Sequence, residues 1–236
     1  MKNRNFLIIC RLSLIVFLSI GYTANVISQE VKASQIERRN RIAYLKGNAT
    51  PFTGKAVDSY KNGNKKSEEN FIAGMKDGML KTWFENGKPE SQKLYKANKL
   101  EGTVMAWYGN GTVERKVEFS NDKKHGSYQT FHENGKPKEL GQFVNGEKTG
   151  VFKTWFANGQ LESEGSYVNG KENGVYTEYF ENGKKYCEKK YAAGNEQSTK
   201  YWTESGRQMT IDEVNDMIKQ MQSGNLMQQW QQQGGK

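Results

Sequence analysis

A 24-residue period runs through most of this 236-residue chain and constrains its fold more than any other feature. Asparagine–glycine pairs mark the period at residues 62–63, 86–87, 110–111, 134–135, 158–159 and 182–183. A second column places a glycine nine residues before the glycine of each pair, at Gly54, Gly78, Gly102, Gly126, Gly150 and Gly174. A third column lies at Gly74, Asn98, Asp122, Gly146, Gly170 and Gly194, and a shortened seventh unit ends at Gly206. Such phased columns indicate one small structural unit stacked in tandem.

Each unit has the pattern of a β-hairpin. An asparagine–glycine pair between two segments of strand length, such as residues 79–85 and 88–95, is the strongest short hairpin signal, because a two-residue type I′ turn needs positive φ at both central residues. The third column tolerates a left-handed backbone in the link to the next hairpin. The prediction is therefore an all-β fold, an elongated single antiparallel sheet of tandem 24-residue hairpins. At about 4.8 Å per strand, six hairpins span roughly 60 Å.

Strand register separates the two faces of this sheet. With Asn86 and Gly87 as the loop, Phe84 opposes Pro89, Leu80 opposes Lys93, and Gly78 opposes Tyr95. These positions define the ladder face, which we expect to be mostly buried and which repeats as Leu80, Val104, Tyr128, Phe152 and Tyr176, with Phe84, Tyr108, His132, Phe156 and Phe180 beside them. Closing aromatics join it at Phe71, Tyr95, Phe119, Phe143, Tyr167 and Tyr191, each opposite a glycine that we expect to make room for the ring.

The opposite face carries a second column of large rings. We call it the aromatic stripe, and it consists of Trp83, Trp107, Phe131, Trp155 and Tyr179, which we expect among Glu90, Glu114, Lys138 and Glu162. One interpretation is packing against neighbouring hairpins, since aromatic cross-strand pairs are common in sheets. The other is a binding strip, since Trp and Tyr are favoured at interfaces. The five stripe residues are thus the candidate binding residues.

The repeat resembles a known family. The segments GVYTEYFENG at residues 174–183 and KKHG at residues 123–126 are similar to the MORN-repeat variant found in many bacterial proteins, and the resemblance covers roughly residues 41–206. Related chains are often labelled YwqK-family antitoxins. The resemblance implies an elongated, non-enzymatic hairpin sheet that acts as an interaction platform. An intracellular antitoxin needs no export signal, whereas the N-terminus of this chain predicts one.

The first 28 residues have the three parts of a secretory signal peptide. Lys2, Arg4 and Arg11 precede a short apolar core at residues 12–20, and a small, polar stretch follows. Val26 and Ser28 predict cleavage before Gln29, and Ala24 offers an alternative site. The predicted address is therefore the periplasm, cell envelope or extracellular space, with no integral membrane span after signal removal. Retention as an N-terminal membrane anchor is the alternative.

The ends of the mature chain differ from the array. Residues 29–40 form a polar N-terminal segment, residues 41–206 the array, and residues 207–236 a helix with a Gln-rich tail at 228–236. Residues 41–46 are predicted to be the second strand of an incomplete leading unit. Thr210 and Glu213 form a possible capping box. We expect the apolar stripe of this helix to dock on the last hairpin as a cap, and its residues are Ile211, Val214, Ile218 and Met221.

The sequence argues against catalysis and against nucleic-acid binding. His125 and His132 share columns with turn residues and ladder rings, and Cys187 shares a column with polar residues that suggests partial exposure. None has a partner at a spacing useful for a nucleophile or a metal site, so no enzyme, cofactor or metal is expected. The 35 cations and 26 anions are interspersed along the chain, whereas nucleic-acid binders usually concentrate positive charge.

Three functions remain at this point. The preferred hypothesis is an exported, non-enzymatic repeat scaffold that binds an unidentified protein through an aromatic-lined sheet. The alternative is a cell-wall or glycan-binding module, because spaced flat rings suit sugar stacking. The second alternative is an antitoxin-like inhibitor of a partner protein.

Overall fold

The computed structural model describes residues 29–222. The predicted signal peptide at residues 1–28 and the Gln-rich tail at residues 228–236 lie outside the described residues. Between Gln29 and Gln222, no helix is long and apolar enough to cross a membrane.

Strands dominate the described chain. A 3₁₀ turn at Ala33–Gln35 lies between the first two strands, and one helix, α1 (Ile211–Gln222), follows the last. The strands are β1 (Gln29–Lys32), β2 (Ile36–Arg39), β3 (Ile42–Leu45), β4 (Gly54–Ser59), β5 (Lys65–Ile72), β6 (Met75–Lys76), β7 (Gly78–Trp83), β8 (Pro89–Lys96), β9 (Lys99–Trp107), β10 (Val113–Ser120), β11 (Lys123–Phe131), β12 (Pro137–Val144), β13 (Glu147–Trp155), β14 (Leu161–Val168), β15 (Lys171–Tyr179), β16 (Lys185–Ala192) and β17 (Asn195–Tyr201).

The predicted fold class is confirmed. Fifteen strands form one long sheet, in which neighbours in sequence are neighbours in space from β7 to β17. Every adjacent pair from β4 onward is antiparallel, with β6 paired to β5 in the first link. One difference lies at the N-terminal edge, where β1 pairs with β4 in parallel.

The asparagine–glycine loops have three residues, so the predicted two-residue type I′ turn is wrong there. Gly87 N–H donates to Phe84 O at 2.9 Å, and Phe84 N–H donates to Lys88 O at 2.9 Å. Gly87 has a φ of 82°, whereas Asn86 keeps negative φ. This is a turn followed by a left-handed glycine. The asparagine is needed for its side chain, because Asn86 Oδ1 accepts from Lys88 N–H at 3.0 Å and Asn86 Nδ2 donates to Gly109 O of the next loop at 3.3 Å.

The links between hairpins carry the two-residue turns instead. Asn145 and Gly146 have φ of 53° and 94°, and the flanking residues Val144 and Glu147 pair directly. Positive φ at two consecutive loop residues is the requirement of a type I′ turn. The left-handed backbone predicted for the third column is therefore confirmed, and the residue before it is left-handed as well.

The loop type changes the register near each loop. Gly78 opposes Tyr95 and Leu80 opposes Lys93, as predicted. Trp83, however, opposes Pro89, so the predicted pairing of Phe84 with Pro89 is wrong by one residue. The three-residue loop shifts the pairing by one position, and an extra residue, Glu90, compensates as a β-bulge.

The ladder face supplies most of the buried apolar side chains of the array. Phe152 is a clear example, because its ring centroid lies 5.4 Å from that of Phe143 and 5.2 Å from that of Tyr167, and the Lys148 ammonium lies 4.4 Å from it. The column nearest the loops is half-buried, and its residues are Phe84, Tyr108, His132, Phe156 and Phe180. Rings from the neighbouring strands and a lysine of the same strand thus cover Phe152 without a second layer.

Glycine makes room for rings at positions other than those predicted. Gly150 opposes Tyr167 as expected, but a Cβ on Gly150 would have nothing within 4 Å. Its φ of 69° explains the glycine, because side chains rarely adopt that conformation. In contrast, Gly141 has no positive φ, and a Cβ there would overlap the Phe152 ring.

The N-terminal residues form a separate cap. β2 and β3 make a two-stranded sheet of their own, so the prediction that residues 41–46 begin the array is wrong. Residues 29–40, which show no pattern in sequence, supply β1 and β2. A small apolar cluster joins this cap to the first hairpin and consists of Val31, Ala43, Phe52, Ala56 and Phe71.

The C-terminal helix begins as predicted but does not dock as predicted. Thr210 N–H donates to Glu213 Oε2 at 2.8 Å, and Glu213 N–H donates to Thr210 Oγ1 at 3.3 Å, which confirms the capping box. Ile211 is 79% exposed, Ile218 39% and Met221 48%. These three apolar residues of the helix are therefore open to solvent. Contacts at the start of the helix orient the helix, such as the Arg207–Glu213 ion pair at 2.6 Å.

We predict that Gly141→Ala destabilises the protein by about 1–3 kcal/mol, because the new methyl group forces the Phe152 ring out of its site. The free energy of unfolding from denaturant titration measures this. Gly109→Ala is the matched control, since Gly109 has no positive φ and no neighbour within 4 Å of its would-be Cβ. In a Phe152→Val background, Gly141→Ala should cost less, because the smaller side chain leaves room for the methyl group. An equal effect of the two single substitutions would contradict the close approach of ring and backbone.

Candidate functional site

The aromatic stripe runs along the loop end of the face opposite the ladder. Each stripe ring is half-buried. The residues directly across the hairpin from the rings are largely apolar, and the pairs are Trp83–Pro89, Trp107–Val113, Phe131–Pro137, Trp155–Leu161 and Tyr179–Lys185. Rings and apolar residues therefore alternate from strand to strand over the first four of these hairpins, and Lys185 takes the apolar place in the fifth.

Polar tips of the outer ladder column hold the backbone of the stripe. Tyr60 Oη donates to Trp83 O at 2.8 Å, and Tyr108 Oη donates to Phe131 O at 2.8 Å. His132 Nε2 lies 2.7 Å from Trp155 O. The imidazole thus takes the place of a tyrosine hydroxyl in this column, and each bond ties one repeat to the stripe residue of the next.

Charged side chains contact the ends of the stripe. The Lys65 ammonium lies 5.6 Å from the centroid of the Trp83 ring, within the range of a cation–π interaction. At the other end, Tyr179 Oη donates to Glu164 Oε1 at 3.0 Å. Glu164 is also bonded to Lys153 at 3.0 Å, and these bonds lower the pKa of its carboxyl group.

The structure adds Trp202 to the stripe. Cys187 pairs with Glu178 on β15 and with Tyr201 on β17, so Glu178 and Tyr201 occupy equivalent positions. The residues that follow them, Tyr179 and Trp202, are therefore equivalent as well. The Lys185 ammonium lies 4.8 Å from the Trp202 ring centroid. The 24-residue period does not predict this position, because the seventh unit is one residue short and Trp202 is therefore out of phase.

The charged residues expected beside the stripe line grooves together with stripe residues. The combinations are Glu114 and Lys138 with Phe131, Glu90 with Trp107, and Glu162 with Tyr179. The first of these grooves has a volume of about 520 Å³. Ladder residues such as Phe84, Tyr108 and Phe156 line the same grooves, so the grooves bring residues of both columns of rings together.

Cys187 is buried, contrary to the partial exposure expected from its column. Cys187 is 1% exposed, and Ser91 and Ser163 of the same column are buried too. Ser91 forms a hydrogen bond with Thr82 at 2.8 Å, and Ser163 forms one with Thr154 at 2.7 Å. Burial raises the pKa of the Cys187 thiol to about 11. A protonated, inaccessible thiol is a poor nucleophile.

His125 has a structural contact as well. Asn145 N–H, in the next link turn, lies 3.4 Å from His125 Nδ1. Asp77 and Glu101 accept the equivalent bonds in other repeats, from Ala97 N–H at 3.1 Å and Asn121 N–H at 2.9 Å. The column therefore caps the following link. Within residues 29–222, no group of three or more His, Cys, Asp or Glu side chains is placed to hold a metal ion.

Comparison with known families agrees with this architecture. Residues 76–97, 124–145, 148–169 and 172–193 match the model of the MORN repeat variant. Each matched segment covers one hairpin and its following link. MORN repeats are in general non-catalytic, protein-binding repeat motifs. A comparison with curated proteins finds no matching relative.

We predict that Cys187 makes stability fall at alkaline pH. The folded chain keeps the thiol proton up to a pKa of about 11, against an ordinary value of 9.0. The thiol's contribution to the free energy of unfolding is present below pH 9 and is lost as pH rises towards 11, because the unfolded state releases the thiol proton first. Cys187→Ser has no thiol to titrate, and it places at this position the serine that Ser91 and Ser163 have in the same column. Denaturant titrations at pH 8 and pH 10.5 should show a smaller loss for the variant, and equal losses would contradict the raised pKa.

Proposed function

We propose that the chain is an exported, non-enzymatic scaffold that binds a partner protein along the aromatic stripe. The observation that carries this proposal is the continuity of the stripe, since half-buried rings follow one another from Trp83 to Tyr179 and have apolar cross-strand partners from Trp83 to Trp155. Half-buried rings retain apolar surface that a partner can bury, at roughly 25 cal/mol per Å².

The spacing of the rings favours an extended partner. Successive stripe residues lie two strands apart, or about 10 Å, on strands whose pairing fixes their positions. The hydrogen bonds from Tyr108 and His132 further fix the stripe backbone. Binding to such a pre-organised surface avoids much of the entropy lost in ordering flexible loops.

Export rests on the leader at residues 1–28. We expect N-terminal sequencing of the protein recovered from its source cells to begin near Gln29, because the polar stretch before it ends in a cleavage site. Fractionation of the same cells should place this species in the envelope or the medium. Recovery from the cytoplasm with Met1 intact would contradict export and would favour the antitoxin-like alternative.

We predict that Trp107→Ala weakens partner binding more than it weakens the fold. Truncating a central aromatic anchor typically costs about 2–4 kcal/mol of binding free energy. Affinity capture from envelope fractions identifies the partner, and titration of the purified partner gives the dissociation constant. Thermal unfolding of the variant should change little, because Trp107 is only half-buried.

Two control variants separate binding from folding. Leu94→Ala removes an exposed apolar side chain outside the stripe and should leave binding unchanged. Phe152→Ala removes a buried ladder ring and should cost about 3–5 kcal/mol of stability. If Trp107→Ala unfolds the protein as Phe152→Ala does, the stripe is structural. Retention of the unmodified protein on insoluble glycan, lost in Trp107→Ala, would favour the glycan-binding alternative.

A further inference from the structure

Four valines form an exposed apolar patch on the face that carries the stripe, but at the link end of the strands. The valine patch consists of Val144 on β12, Val151 on β13, Val168 on β14 and Val175 on β15, so that four adjacent strands contribute one side chain each. Their exposed fractions are 47%, 49%, 50% and 47%. Val151 opposes Ser166 and Val175 opposes Lys190, which places the patch away from the buried ladder.

The repeat itself does not require valine at these positions. Four equivalent residues of the preceding hairpins are polar and are Lys96, Thr103, Ser120 and Ser127, whereas Ile72 and Met79 near the N-terminal end are apolar. Their strands pair in the same register, since Ser120 opposes Lys123 as Val144 opposes Glu147. The sheet therefore forms with polar residues there, and contiguous exposed apolar side chains of this kind mark interaction surfaces.

Charges of opposite sign flank the patch. Glu147 lies directly across the link from Val144, and Lys171 lies directly across the next link from Val168. Opposed residues of an antiparallel pair project from the same face, so both charges border the valines. Both side chains are exposed, and they occupy the same position of successive repeats.

We propose that the valine patch is the interface between two copies of this chain, packed face to face. A two-fold axis along β14 exchanges β13 and β15. It places Val168 against its own copy, Val151 against Val175 of the second copy, and Glu147 against Lys171 of the second copy. The same operation brings Val144 to Ala192 of the second copy. The patch is thus complementary to itself in both shape and charge, as a two-fold interface requires.

The neighbouring charge on the axis is already compensated. Glu164 on β14 would meet its own copy, but its carboxylate bonds Lys153 at 3.0 Å and Tyr179 Oη at 3.0 Å. Sheets packed face to face lie about 10 Å apart with nearly aligned strands, which matches an axis parallel to β14. The same operation places Trp155 on β13 opposite Tyr179 on β15 of the second copy, so the dimer covers that end of the stripe. Trp83 and Trp107 lie on β7 and β9, several strands from this axis, and are the part of the stripe that stays free for the partner of the proposed scaffold.

Sedimentation equilibrium tests the assembly, with Val168→Asp as the decisive variant and Ser120→Asp as the matched control in the same column of the third hairpin. The unmodified protein should be a dimer at micromolar concentration. Val168→Asp should weaken dimerisation at least about tenfold, because it puts two carboxylates in contact at the axis. Ser120→Asp should remain dimeric, and circular dichroism should show the same fold for both.

Charge exchange tests the orientation of the two copies. Glu147→Lys and Lys171→Glu should each weaken the dimer, since like charges then face each other twice. The double variant should restore it, because the pair is re-formed with its signs reversed. A monomeric unmodified protein, or a Val168→Asp variant as dimeric as the control, would overturn the proposal. Failure of the double variant to recover would overturn the axis along β14. Neither result bears on partner binding at Trp107, which is measured separately.

Discussion

Left-handed backbone at both ends of every strand pair holds this sheet in register. At one end a glycine such as Gly87 closes a three-residue loop, and at the other two consecutive residues such as Asn145 and Gly146 form a two-residue turn. The two turn types differ by one residue in length, and the bulge at Glu90 compensates. The side-chain period of a strand is two, so an uncompensated shift of one residue would exchange the two faces. The ladder, the stripe and the valine patch all depend on this compensation.

A single sheet with this register has no second layer, so each hairpin is stabilised by its neighbours. The Phe152 ring packs on Phe143 and Tyr167 from the two adjacent strands, and the ammonium of Lys148 on the same strand lies over it. Asparagine side chains add a second connection, as in Asn134 Nδ2 to Ala157 O at 2.7 Å. Nearest-neighbour contacts of this kind are the energetic basis of repeat arrays. Because these contacts hold neighbouring hairpins together, the face opposite the ladder is not needed for packing. The residues of that face can therefore differ between repeats.

The period predicted the hairpins, the antiparallel sheet and the assignment of faces along most of each strand, and the spacing of Thr210 and Glu213 separately predicted the capping box. The period did not predict the turn types, because asparagine–glycine suits both a type I′ turn and a loop in which Asn86 acts through its side chain. The one-residue error in the pairing of Phe84 with Pro89 follows from that choice of turn. Trp202 was missed because one deleted residue moved it out of phase. The burial of Cys187 was missed because serine in the same column was interpreted as exposure, although Ser91 and Ser163 are buried pairs with threonine.

The central claim is that 24 residues form one hairpin with its link, and paired deletions test it most directly. Removing residues 102–125 joins Glu101 to Gly126, which re-forms a complete first strand. Removing residues 102–113 joins Glu101 to Glu114, so that the strand lacks its loop and the following link falls at the wrong edge of the sheet. Thermal unfolding followed by circular dichroism should show a cooperative transition for the 24-residue deletion and aggregation without such a transition for the 12-residue deletion. Equal cooperative unfolding of both proteins would contradict the claim.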